Sequence, residues 1–155
     1  MPTQTSKQKS AWDNRFEIPS QSDLIAGLNH QMHFVAEHAR HLLVQPGCVK
    51  EAVAWQGVWK WTFSYTCTLD QSRPWAYIIP DPSKLRICVP LAVNVLTEIP
   101  LKKISRFVRD VIVHAAPVGQ LRWPMWEVQT KAQAADVLEL CTMKLAAMNP
   151  KPLGV

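Results

Sequence analysis

Four side chains near the start of the chain have the types and spacing of a metal site. On a helix turning about 100° per residue, His30, His33, Glu37 and His41 fall within an arc of roughly 80°. His33 with Glu37 and Glu37 with His41 are i, i+4 neighbours, and imidazole with carboxylate suits zinc, nickel or copper. The same spacing also describes a solvated helix face, and the sequence shows no further ligand to complete a shell. A second set, Lys102, Lys103, Arg106 and Arg109, forms a basic stripe on a predicted helix that could meet phosphates or an acidic partner. It is equally the solvated side of an amphipathic helix.

The aromatic residues offer a third possibility. Trp59, Trp61, Phe63 and Tyr65 recur at every second position. An exposed row of this kind stacks nucleic-acid bases, whereas a row facing helices is core. Between these lies a partly filled aromatic pocket for a small apolar ligand, with Trp75, Trp123 and Trp126 at its rim. Catalytic chemistry has little to stand on. Asp110 and His114 are i, i+4 without a nucleophile beside them, and Cys48, after Pro46-Gly47, has no His or basic residue fixed beside it to lower its pKa. G-x-S-x-G, H-E-x-x-H, Walker and dinucleotide fingerprints are all missing, so no cofactor is expected and the reading leans against an enzyme.

The elements that must position these residues follow from periodicity. Residues 1–20, rich in Ser, Thr, Gln and Lys, read as a flexible arm that Trp12 and Phe16 could dock. A helix is predicted over 23–44, ended by Pro46-Gly47. Alternation over 59–69, 75–79 and 85–91, separated by polar turns, gives three antiparallel strands with the large residues, Tyr77 and Ile79 among them, on one face. A helix over 101–115, a strand over 122–129 that Pro124 confines to a late start or an edge, and a helix over 131–147 opened by Thr130 and Gln133 complete the order α-β-β-β-α-β-α. One apolar face per strand implies an α+β two-layer sandwich: about four antiparallel strands, helices on one face, and an open face carrying Lys60, Thr62, Ser64, Thr66, Arg86 and Glu127. The domain spans 21–149, with a short tail at 150–155.

Composition fits one domain. The chain has 155 residues, 48% hydrophobic and 19% charged, which excludes wholesale disorder and charged coiled coils. Its net charge of +5 is mildly basic, weak support for a nucleic-acid partner. No run approaches the ~18 apolar residues of a membrane span, and the polar start has no signal-peptide core. The four Cys, with no C-x-x-C, read as reduced thiols in a cytoplasmic protein.

The run Ala54-Trp55-Gln56-Gly57-Val58-Trp59-Lys60-Trp61-Thr62-Phe63-Ser64-Tyr65, followed by Tyr77-Ile78-Ile79-Pro80, Leu85-Arg86-Ile87-Cys88-Val89, Trp126-Glu127-Val128, Asp136-Val137 and Lys144, resembles the bacterial domain-of-unknown-function 3788 family over about residues 30–145. Two positions depart from it: Val58-Trp59-Lys60 stands where the family usually has a Gly beside the aromatic, and Val118-Gly119-Gln120-Leu121 replaces a Gly-rich approach to the last strand. The resemblance implies an α+β fold and no assigned activity. The expectation is a non-catalytic binding or regulatory module. It would take a small apolar or aromatic ligand against Trp59, Trp61, Tyr65, Trp75, Trp123 and Trp126, or a protein partner, a second copy included, on the open sheet face. The alternative is an electrostatic nucleic-acid binder using the basic helix over 101–115.

Overall fold

The structure, a computed structural model, describes residues 11–148. It is an α+β fold. The helix expected over 23–44 is two helices, α1 (Gln21–Ala26) and α2 (His30–Val44), each with its own cap. The Ser20 hydroxyl accepts from the Asp23 N–H at 3.0 Å, and the Asp23 carboxylate accepts from the Ser20 N–H at 3.1 Å. The Asn29 side chain accepts from the Met32 N–H at 2.8 Å. A cap contributes about 1 kcal/mol and glycine disfavours a helix interior by a similar amount, so the chain restarts around Gly27.

After α2 comes an element the periodicity did not show, β1 (Val49–Trp55). It is followed by β2 (Trp61–Cys67), β3 (Ala76–Asp81), β4 (Lys84–Cys88) and the short β5 (Leu91–Ala92). Then come α3 (Val93–Leu96), α4 (Arg106–His114), β6 (Pro117–Val118), β7 (Leu121–Arg122), β8 (Met125–Glu127) and α5 (Lys131–Met148). The main sheet is antiparallel with five strands, β1-β2-β3-β4-β8, one more than expected, and a small sheet pairs β5-β7-β6. The strand expected over 122–129 reduces to β8 at the sheet edge, as Pro124 required. The helix expected over 101–115 is interrupted. Leu101–Lys103 is a separate tight turn, Ile104 is extended, and α4 starts at Arg106.

Register decides what each sheet face carries. Val53 pairs with Phe63, Phe63 with Ile78, Ile78 with Ile87, and Ile87 with Trp126. This row faces α2, whose Arg40 guanidinium lies 4.6 Å from the Phe63 ring centre. Phe63, Ile78, Ile87 and Trp126 are fully buried, and the indole N–H of Trp126 reaches the Val108 carbonyl of α4 at 3.4 Å.

Tyr77 and Ile79 are on the other face, contrary to the expected single aromatic face. Tyr77 pairs with Ser64, and Ile79 with Arg86. The intervening 68–75 segment is a loop, which does not carry strand parity forward. That second face is therefore not open as expected: Thr62, Ile79 and Cys88 are fully buried on it. The rings of Trp59, Tyr77 and Trp123 cluster there, with Trp59 5.2 Å from Tyr77 and Trp123 6.4 Å from both. Lys60 is not a strand residue. It sits at φ 61°, ψ −141°, a region that favours glycine, with its ammonium 4.6 Å from the Trp12 ring centre.

The arm docks through Trp12 rather than Phe16. The Trp12 indole donates to the Trp59 carbonyl at 3.0 Å, and the Trp61 indole donates to the Asn14 carbonyl at 2.7 Å. Phe16 is 90% exposed. Residues 1–10 and the tail at 150–155 lie outside the described residues. Among those described, no helix is long and apolar enough to cross a membrane.

Candidate functional site

The last helix carries a charge where its periodicity demands an apolar residue. The side chain of Thr130 accepts from the Gln133 N–H at 3.1 Å and starts α5; the Gln133 side chain accepts from the Gln129 N–H at 2.8 Å, a variant of the expected capping box. Val137, Leu138 and Cys141 then face inward, and Lys144, three residues past Cys141, is buried with them at 5% exposure.

Lys144 joins three segments. Its ammonium donates to the Trp75 carbonyl at 2.9 Å and the Pro90 carbonyl at 2.6 Å, and lies 4.6 Å from the Trp75 ring centre. An ammonium has three donors, and among the described residues two oxygens accept from it. Among the described residues no carboxylate lies within ion-pair distance of it. Burial lowers its pKa from 10.5 to about 8, against the opposing pull of Cys141, Cys88, Cys67 and Asp70. Cys88 and Cys141 are pushed up to about 12 by burial, so both stay neutral thiols beside it.

Against Lys144 lies a cavity of about 280 Å³, walled by the 69–74 loop, Trp75, the start of α3 and the end of α5. Asp70, Arg73 and Asn94 supply its polar lining, and Val95, Leu121 and Ala147 part of its apolar lining. Asp70 and Arg73 pair loosely at 3.8 Å. Hydrogen bonds from Ser72 hold the Asp70 carboxyl below its ordinary value, so Asp70 is charged. With Lys144 and Arg73 both cationic, the lining carries one more positive than negative charge.

A second polar cluster lies between α2 and the sheet. The Arg40 guanidinium grips Glu51 of β1 with two bonds, 3.0 and 2.8 Å, and reaches Glu37 at 2.6 Å. The Tyr65 hydroxyl donates to Glu51 at 2.6 Å and the Gln21 amide at 3.0 Å. Burial pushes the Glu51 carboxyl up, but the bonds from Arg40, Tyr65 and Gln21 outweigh it and hold it below the usual range. Burial and then the Glu51 charge hold the Tyr65 hydroxyl far above its ordinary value. Both Glu51 oxygens are matched to donors, so this is a structural clamp between helix and sheet.

The sequence-based candidates separate in the structure. Of the six aromatic pocket residues only Trp75 lines the Lys144 cavity. Trp61, Tyr65 and Trp126 are core, while Trp59 and Trp123 belong to the cluster on the second sheet face. Glu37 is taken by Arg40, and His30 and His33 pack edge-on against Phe34 at 5.0 and 5.8 Å. Among the described residues no group of three or more His, Cys, Asp or Glu is arranged to hold a metal ion. Lys102 and Lys103 sit on the tight turn and Arg106 and Arg109 on α4, so the broken helix removes the continuous stripe; Arg106 also pairs with Asp110 at 3.5 Å. Lys144, Arg40 and Glu51 were not among the residues that periodicity singled out. Their signal is a charge at an inward position of an apolar stripe.

No family model, curated protein or solved structure compared with the chain matches it.

Proposed function

We propose that the protein is a non-catalytic, cytoplasmic binding module for a small molecule that joins a flat apolar body to an anionic group, taken up in the Trp75–Lys144 cavity. The observation that carries this reading is Lys144: a buried ammonium, without a carboxylate partner among the described residues, against a cavity. A buried cation is stabilised by a counter-charge, and an anion entering from the cavity would supply it. Trp75 offers an aromatic surface, and Arg73 and Asn94 offer further donors. This narrows the ligand expected from composition, from apolar or aromatic to aromatic and anionic. The likeness to the domain-of-unknown-function 3788 family, of which Lys144 is one carrying residue, belongs to the same proposal and adds no activity.

A suitable probe is 8-anilinonaphthalene-1-sulfonate, which pairs a naphthalene with a sulfonate. Titrated into the folded protein near pH 7, it is expected to give a saturable rise in fluorescence from one site. Ala147→Phe, which fills the cavity, and Arg73→Glu, which reverses a charge in its lining, are each expected to weaken binding about tenfold or more, the equivalent of roughly 1.4 kcal/mol. A signal that never saturates, or one that neither substitution changes, would remove the reading.

A further inference from the structure

Sequence spacing gave no reason to pair any two of the four cysteines, yet the fold brings two together. Cys48 ends the turn between α2 and β1, and Cys67 is the last residue of β2. Val49 pairs with Cys67 in the ladder, and the Thr68 N–H donates to the Cys48 carbonyl at 2.8 Å, so the two backbones are fixed side by side. The sulfur atoms are 3.6 Å apart. The Cys67 side chain is buried and that of Cys48 half-buried. We infer that Cys48 and Cys67 form a dithiol that low-molecular-weight disulfides oxidise reversibly to an intramolecular disulfide.

The geometry supports the closure. A disulfide is about 2.05 Å long, so the sulfurs must approach by roughly 1.5 Å. The turn that bears Cys48 has room to move: a side chain added at Gly47 would meet nothing within 4 Å. Exposure fixes the order of events. The Cys48 thiolate attacks one sulfur of the small disulfide, a mixed disulfide forms, and the first small thiolate leaves and is protonated. The Cys67 sulfur, having lost its proton to water, then attacks the Cys48 sulfur and expels the second small thiol. Two protein thiols are oxidised and one small disulfide is reduced to two thiols. Burial, and then the neighbouring Cys67, push the Cys48 thiol up, so the exchange is slow at neutral pH. Cys88 and Cys141 are buried, and serve as internal controls.

The test exposes the folded protein to oxidised glutathione, blocks remaining thiols under denaturing conditions, and maps peptides by mass spectrometry. The expected product loses two hydrogens, links the Cys48 and Cys67 peptides, leaves Cys88 and Cys141 blocked, and reverts with dithiothreitol. Cys48→Ser, at the more accessible position, is expected to abolish the link and leave Cys67 free. A glutathione adduct that persists on Cys48, a link from Cys48 to Cys88 or Cys141, or a Cys67 that stays blocked in the unmodified chain would each overturn the inference.

Discussion

Replacing Arg40 with leucine is expected to remove about 2–3 kcal/mol of stability, the cost of leaving a partly buried carboxylate without its ion-pair partner. Arg40 holds Glu51 with two bonds, and the two side chains are only 19% and 11% exposed. Without the guanidinium, Glu51 keeps its bonds from Tyr65 and Gln21 but sits as an uncompensated charge between α2 and the sheet. The pH dependence should weaken with it. In the native protein the Glu51 pKa lies below its unfolded value of 4.5. Its contribution is therefore present above that value and lost as pH falls through the folded pKa. In Arg40→Leu the lowering contributions of the guanidinium are gone, so the folded pKa rises from its native position. The variant is then expected to lose less stability through this group than the native protein does as pH falls from about 5 towards 3. Urea denaturation at both pH values checks this. Adding Glu51→Leu should recover most of the loss, because the unpaired charge is gone. A single variant that loses less than about 1 kcal/mol would show that the clamp contributes little.

Lys144→Met is expected to leave stability near pH 7 almost unchanged while abolishing binding of the sulfonate probe. Two effects of similar size oppose each other. Lowering a lysine from 10.5 to about 8 means that its charged form costs about 3 kcal/mol in the folded state, and methionine removes that cost. Methionine also strips the donor from the Trp75 and Pro90 carbonyls, at about 1–2 kcal/mol each. The balance shifts with pH. Between about 8 and 10.5 the unfolded chain holds a proton that folded Lys144 has released, so this group makes the native protein more stable as pH rises through that window. The Met variant lacks this rise and should fall behind by about 3 kcal/mol near the top of the window. Cys88 and Cys141, at about 12, titrate beyond it, and Asp70 is already charged. For the same reason, probe affinity in the native protein should weaken about tenfold per pH unit above about 8, as the anchoring charge is lost. Unchanged probe affinity in Lys144→Met would place the ligand elsewhere.

What the sequence made legible depended on whether one local pattern sufficed. The strands β2, β3 and β4 and the helix α5 were readable because alternation holds within each strand and an apolar stripe runs along most of the helix. The strand β1 was not, because Glu51 takes an inward position between Val49 and Val53, and Lys50 and two alanines have low strand propensity. Arg40, with Tyr65 and Gln21, makes that glutamate tolerable. The side assigned to Tyr77 and Ile79 failed where parity was carried across the 68–75 loop, since register is set by pairing with Ser64 and Arg86. The single helix expected under the basic residues breaks where Ile104 is extended. Trp75 was legible as a pocket residue. Lys144 was visible only as a polar residue in an apolar register, and its meaning depends on two carbonyls from distant segments, Trp75 and Pro90.

The most direct measurement of the binding site is a crystal structure of the protein with 8-anilinonaphthalene-1-sulfonate. The expected complex has a sulfonate oxygen within hydrogen-bonding distance of the Lys144 ammonium and the naphthalene against Trp75. A probe seated instead on the Trp59–Tyr77–Trp123 cluster, with the Lys144 cavity unfilled, would contradict the proposed function.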